Sequence, residues 1–393
     1  MLMRKKAILM AAAGLGLSVA AWLDAQSILS GAKPAAAIPV LTGPPRQKLA
    51  TPIREALFTR QLPTEQRATL RSSALDSLAR EPLDATAVWI WGGTDPASGE
   101  SASFLLAERI TRRELGVQME LLRARATRKD LAGAFQHLDR ALTVFPDANA
   151  TLLPGVALGL DAPELRAILV PYAERPWFPA LIRQAAEKAP DPLGAAALLS
   201  EAQVSVQGLT QGTLPLLLNA LIKAGEGFEA GQLAVRMKAI SEAGLEQFGL
   251  SEQTLGTEGR PLTWQLTNNE AASVKLDGNA AVTFTVEPGR SATLLDRVTV
   301  YRSGTFLLRT TLSGSDARII ATWELRCLGP DGERFTWSQR LPVNPALQRM
   351  NVQTRIPDDC AAQRWLFKAS ASDLQVMATG QLQDIDLELF ANH

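Results

Sequence analysis

Two hydrophobic periods divide the chain. From Ile53 to Leu250 apolar residues recur at the three-to-four spacing of amphipathic helices, in short runs cut at close intervals by Pro and Gly. After a polar stretch, LSEQTLGTEGRP, the period becomes two. AVTFTV, GTFLLRTTL, RIIATWELRC, RFTWSQRL and DIDLELF alternate between apolar and polar positions, and turn sequences such as Asp277-Gly278-Asn279, Glu287-Pro288-Gly289 and Pro330-Asp331-Gly332 separate them. About ten such strands with no helix-length segment among them describe two packed antiparallel sheets and argue against a parallel α/β sheet. The pattern therefore predicts a multidomain chain, α then β. An α-helical domain spans 53–250, a hinge 251–261, and an antiparallel β-sandwich 262–393.

The first residues, MLMRKKAILMAAAGLGLSVAAWLDAQS, follow neither period. Arg4, Lys5 and Lys6 precede an uncharged run from Ala7 to Leu23, the pattern of an export segment. At about 1.5 Å per residue the run would reach roughly 26 Å, the low end of a membrane span. Two readings of 1–25 stand side by side: a retained signal-anchor with Trp22 at the interface, or a cleaved signal peptide with small residues at Ser18-Val19-Ala20 and Ala25. In both, the cationic flank stays cytoplasmic and the body is translocated. The expected location is thus an inner-membrane anchor with a periplasmic body, or free secretion to the periplasm after cleavage. Segment 26–52, with Pro34, Pro39, Pro44, Pro45 and Pro52, reads as a semi-extended linker.

Composition narrows the function classes. The chain has 393 residues, and its 40 Lys and Arg balance its 40 Asp and Glu. Such a chain has no basic field to hold a phosphate backbone, and nucleic acid is not an expected partner. Its two cysteines, Cys327 and Cys360, both abut strand-like runs. In an oxidising compartment they are a disulfide candidate; in a reducing one they would stay buried thiols. Closing a loop of about 33 residues would contribute roughly 3–4 kcal/mol.

Within the helical region, ELGVQMELLRARATRKDLAGAFQHLDRALTVFP places Leu121, Ala134, Leu138, Ala141 and Pro146 where a helix-turn-helix repeat needs them. Small residues let the paired helices approach, bulky ones fill the groove, and proline ends the second helix. This segment resembles a tetratricopeptide repeat. LAREPLDA, with Pro82 ending one helix and the next starting near Ala85, and LLNALIKAGEGFEAGQLAVRMKAI, with Gly227 at the turn, are looser echoes. Arg125 stands where that family usually has an aromatic residue, and Leu122 where it usually has glycine. The resemblance implies a concave surface for protein partners.

Standard catalytic chemistry is scarce. The histidines are His137, placed mid-helix, and His393. No nucleophile elbow, phosphate-cradling glycine loop or paired-histidine zinc motif is present, so no catalytic, cofactor-binding or metal-ligating residue is assigned and an enzyme is not expected. A glycoside hydrolase or lyase needs only a carboxylate pair, and for that alternative the candidates are Asp296, Glu324, Asp331, Glu333, Asp358 and Asp359. Asn149-Ala150-Thr151 fits a glycosylation sequon.

Aromatic residues carry the positive expectation. Trp264 and Trp323 alternate with polar neighbours as inward residues do. Trp337, in RFTWSQR, and Trp365, beside Gln363 and Arg364, stand among polar neighbours and, with Tyr301, form the candidate glycan platform. Short aromatic-rich strands, the Cys327 and Cys360 pair and the closing DIDLELF strand resemble the jelly-roll sandwich of carbohydrate-binding modules over about residues 260–390. That resemblance and the helical repeats together imply a non-enzymatic scaffold or adaptor of the bacterial envelope. It would bind protein through its helices and glycan through its sandwich, in the setting of surface-polysaccharide assembly or export.

Overall fold

A computed structural model describes residues 64–94, 102–209, 211–251, 253–257, 259–278, 281–314 and 319–390. The expected export segment from Ala7 to Leu23, the linker 26–52 and His393 lie outside the described residues. Among the described residues no helix is long and apolar enough to cross a membrane. The described residues divide into two compact units, the first ending at Lys188 and the second starting at Ala189.

The first unit is helical: α1 (Thr64–Arg80), α2 (Ala85–Gly93), α3 (Ala102–Ile110), α4 (Leu115–Thr127), α5 (Leu131–Val144), α6 (Asn149–Ala157), α7 (Pro163–Leu169) and α8 (Phe178–Lys188). Proline and capping residues set these boundaries. Asp84, just beyond Pro82, accepts hydrogen bonds from the backbone N–H groups of Thr86 and Ala87 and so starts α2. The α4–α5 hairpin turns through Lys129, which adopts a left-handed conformation with φ 63°. Asp130 then caps α5 by accepting from the Gly133 N–H, while Arg125 donates to the same carboxylate at 2.8 Å. Arg125, the departure from the repeat pattern, thus ties the end of one helix to the start of the next. Gly116 permits the close approach of α2 and α4, since a Cβ there would sit 2.5 Å from the Trp89 ring. The Asn149 sequon falls in the first turn of α6 with its Oδ1 buried, not on an exposed loop.

The second unit opens with α9 (Leu193–Glu201), α10 (Thr213–Lys223), α11 (Gly227–Arg236) and α12 (Glu242–Glu246) and continues, among the described residues, into ten strands. These are β1 (Gln265–Leu266), β2 (Ala272–Asp277), β3 (Ala281–Val286), β4 (Ser291–Thr299), β5 (Gly304–Gly314), β6 (Ile319–Gly329), β7 (Gly332–Leu341), β8 (Gln348–Ile356), β9 (Ala362–Ala371) and β10 (Ala378–Leu389). One sheet has the order β1-β4-β9-β6-β7 and the other β2-β3-β10-β5-β8, and all neighbouring strands pair antiparallel. The predicted change from helices to an antiparallel sandwich is therefore the architecture observed. Phe248, Trp264, Phe284, Trp323, Trp365 and Phe367 fill the space between the sheets.

The division into units falls before α9, earlier than the change of hydrophobic period. Stretch 251–261, expected as a hinge, is built into the second unit. The Trp264 N–H donates to the Thr254 carbonyl at 2.7 Å, and the Thr254 hydroxyl donates to the Gly249 carbonyl at 2.7 Å. Gly227, at the start of α11, lies so close to the β8–β9 turn that a Cβ would approach the Ala361 oxygen to 2.4 Å. Helices α10 and α11 therefore belong with the sandwich.

Candidate functional site

Of the residues expected to form a platform, Trp365 turns wholly inward, while Trp337 and Tyr301 are half-buried. Trp365 is wholly buried, with 0% of its surface exposed, and its indole N–H donates to the Thr299 hydroxyl at 3.0 Å. A ring closed off by protein on both faces cannot stack on a sugar, so Trp365 is a core residue, as Trp264 and Trp323 are. Trp337 is half-buried against the same core, opposite Leu325 across the β6–β7 pair. Tyr301 also packs on the core, its ring 5.9 Å from Phe306 and its hydroxyl donating to the Glu246 carbonyl. Burial pushes the Tyr301 hydroxyl up to about 12.

The exposed aromatic ring on this sheet is Phe335, which the sequence reading did not single out. Register explains the reversal. In an unbroken strand Phe335 and Trp337, two apart, would share a face. The β6–β7 pairing steps from Leu325–Trp337 to Arg326–Phe335, so a bulge at Thr336 sends the two rings to opposite faces. Phe335 stands 59% exposed on the outer face, two residues from Glu333.

Charged residues on that outer face form one continuous network. Arg364 on β9 donates to both Asp296 oxygens on β4, at 2.6 Å from Nη2 and 3.0 Å from Nε, and to Glu333 on β7 at 3.1 Å. Arg326 on β6 reaches Glu333 and Glu324, each at 2.9 Å, and Lys368 closes the row on Glu324 at 2.7 Å. Burial pushes the Glu324 carboxyl up, but hydrogen bonds from Lys368 and Arg326 outweigh it and hold the group below its ordinary value. Arg364 is held above the usual guanidinium value, chiefly by its hydrogen bonds to Asp296.

Beside the network is a cleft of about 410 Å³, within the range of small-ligand sites. Asn219, Ile222 and Lys223 of α10 form one wall, and the β6–β7 turn, with Leu328 and Pro330, another. Its floor carries Gln265, Asp296, Val298 and Arg364, with Glu333 at the side. The cleft thus combines apolar walls with amides, two carboxylates and two cations. Of the other carboxylates considered, Asp359 pairs with Arg334 at 2.8 Å, and Asp331 and Asp358 are exposed. Among the described residues no group of three or more His, Cys, Asp or Glu side chains is placed to hold a metal ion.

Two structural fastenings hold the site. Cys327, near the end of β6, is bonded to Cys360, in the turn before β9, as the pairing expected for an oxidising compartment requires. Arg297, between the cleft residues Asp296 and Val298, turns to the other side of β4 and is wholly buried. Its guanidinium donates to the carbonyls of Gly244 at 2.8 Å, Gln247 at 2.6 Å, Phe248 at 3.2 Å and Leu262 at 2.8 Å, and lies 5.8 Å from the centre of the Trp264 ring. Burial lowers it to about 10, so it stays protonated near neutral pH.

His137, on α5 of the first unit, faces Gln118 on the paired helix α4. It is buried, with Nδ1 2.9 Å from the Gln118 Oε1 and 3.5 Å from Glu108, and Arg140 is paired to Glu108. Trp177 donates its indole N–H to Asp139 at 2.9 Å.

No family model matches the chain, and a search of curated proteins finds no match. Among solved structures, the chain is similar to the N-terminal cellulose-binding domain of Cellulomonas fimi β-1,4-glucanase C, with 15% identity over 37% of this chain and 97% of that one at a TM-score of 0.24. It is similar to TmCBM61 in complex with β-1,4-galactotriose, with 13% identity over 32% of this chain and 88% of that one at a TM-score of 0.24. It is also similar to Family 16 Carbohydrate Binding Module-2, with 14% identity over 30% of this chain and 84% of that one at a TM-score of 0.23.

Proposed function

We propose that this chain is a non-enzymatic, exported scaffold of the bacterial envelope whose second unit binds glycan in the cleft beside Phe335. One observation carries the reading: an exposed aromatic ring stands two residues along β7 from the charged wall of a polar cleft of about 410 Å³. Sugar rings present apolar C–H faces and hydroxyl edges. An exposed phenyl ring suits the first, and the Asn219 and Gln265 amides with carboxylates held in place by Arg364 suit the second. Export fits the disulfide, which needs an oxidising compartment, and the charge pattern before Ala7 supports a membrane tether with a periplasmic body. The first unit, with its tetratricopeptide-like α4–α5 hairpin, is proposed to bind protein partners, and polysaccharide assembly or export is the proposed setting.

A carbohydrate-active enzyme is the alternative, and one observation favours it: Asp296 and Glu333 share the cleft. Against it, both carboxylates are hydrogen-bonded to the one guanidinium of Arg364. A hydrolase needs its two carboxyl groups on opposite sides of a scissile bond, with room for sugar between them.

Calorimetric titration of the purified protein with a panel of bacterial and plant polysaccharides tests the proposal. Saturable binding that Phe335→Ala weakens supports it. Flat heats across the panel would remove glycan binding, and release of reducing ends would restore the enzyme reading.

A further inference from the structure

The cleft's charges identify a class of ligand. On the outer face Asp296, Glu324 and Glu333 alternate with Arg326, Arg364 and Lys368, and each is engaged by an oppositely charged neighbour. The network is therefore neutral as a unit and offers no free charge of either sign. Lys223 is different. It ends α10, lines the same cleft and is exposed, and among the described residues no hydrogen bond or ion pair engages its ammonium group.

A second cation lies on the opposite side of the cleft floor. Arg297 separates the lining residues Asp296 and Val298, is wholly buried, and contacts backbone carbonyls rather than a carboxylate. Carbonyl dipoles solvate a cation without cancelling its net charge, and a poorly screened charge in the protein interior is felt over a longer distance than one in water. Asp331, at the tip of the β6–β7 turn, and Asp359 both act on Arg334, and neither lines the cleft.

We infer that the saccharide taken by this cleft is anionic, and that Lys223 meets its charge. The shared chemistry is a sugar carrying an anionic substituent, supplied by a uronate carboxylate or by a sulfate. Asn219 and Gln265 would receive the hydroxyls, and the neutral network would keep the cleft's own carboxylates from repelling the ligand. An exposed ammonium is a point charge without the fixed fork of a guanidinium, so it selects for charge more than for geometry. The inference rests on the glycan reading above, and its test separates failure of one from failure of the other.

The test is calorimetric titration of the full chain with polygalacturonate and alginate as carboxylated probes, heparin as a sulfated probe, and dextran and galactomannan as neutral ones. Each is run at low and at high salt and repeated with Lys223→Gln and Lys223→Arg. The expected result is binding of at least one anionic probe and neither neutral one. Salt and Lys223→Gln should weaken it, the latter about tenfold, and Lys223→Arg should retain it. Lys223 is exposed, so an unchanged melting temperature would establish that the variant is folded. Preference for carboxylated or sulfated probes would identify the source of the anion. Neutral probes binding as tightly as anionic ones would overturn the inference and leave the glycan reading in place. Anionic binding untouched by Lys223→Gln would overturn it too, since the charge would then be met elsewhere. No binding to any probe would remove both.

Discussion

The guanidinium of Arg297 donates to the carbonyl oxygen of Gly244 at 2.8 Å and so joins β4 of the sandwich to the short helix α12 that precedes it. This contact makes α12, which precedes the first strand, part of the second unit. The carbonyls near the end of α12 lack partners within the helix, and a buried cation from β4 supplies them.

Replacing Arg297 with Met should therefore destabilise the unit by about 3 kcal/mol or more, because the carbonyls of Gly244, Gln247 and Leu262 lose their donor at once. Urea denaturation of 189–393 measures this. In the same experiment a fragment starting at 255 should unfold without a cooperative transition, since it lacks Gly244, Gln247 and Phe248; a sigmoidal curve matching that of 189–393 would refute the role given to Arg297.

Reduction should lower the melting temperature of the oxidised protein. Cys327 and Cys360 close a loop with a sequence separation of 33, for which chain-entropy arithmetic gives roughly 3–4 kcal/mol. Cys327→Ser should reproduce the loss and be insensitive to reductant. Equal melting temperatures with and without reductant would contradict the stabilising role.

The two tryptophans named for a platform and the phenylalanine that replaces them separate stability from binding. Trp365→Ala should cost about 3–5 kcal/mol as a core cavity. Phe335→Ala should change stability by no more than about 0.5 kcal/mol while weakening saccharide binding up to about tenfold. Thermal melts and titrations on both variants check this; a Phe335→Ala protein that binds like the parent would move the ligand off this face.

Acid should weaken the first unit through His137. Burial holds its pKa below the ordinary 6.5, with Glu108 and Asp130 opposing that shift and Arg140 and Arg125 reinforcing it. The unfolded chain then binds a proton at pH values where the folded one does not. Stability is full above 6.5 and falls as pH drops from 6.5 through the folded value, where the loss ends. Melting temperature followed from about pH 7.5 to 5 should fall less steeply for His137→Gln than for the parent. Parallel curves would show that His137 does not couple folding to protons.

Features written in neighbouring residues were legible from the sequence. The change from a helical to an alternating period places the sandwich, Pro82 and Gly227 mark helix boundaries, and strand alternation turns Trp264 and Trp323 inward. The cysteines, at matching strand ends, are paired. Each depends on local geometry, repeating every two or every three to four residues, which composition in a short window reveals.

Tertiary structure alone decided the site. A bulge at Thr336, visible only in the pairing with β6, separates Phe335 from Trp337 and exposes the one that alternation would have left beside the other. Trp365 has polar neighbours in sequence, yet Phe248 packs edge-on against its ring and Thr299 takes its indole N–H. Asp296, Glu333 and Arg364 meet because β4, β7 and β9 belong to one sheet, and the boundary before α9 follows from the packing of α10 and α11 on the sandwich. Register and cross-strand contacts are properties of partners far apart in the chain, whereas periodicity is a property of each strand alone.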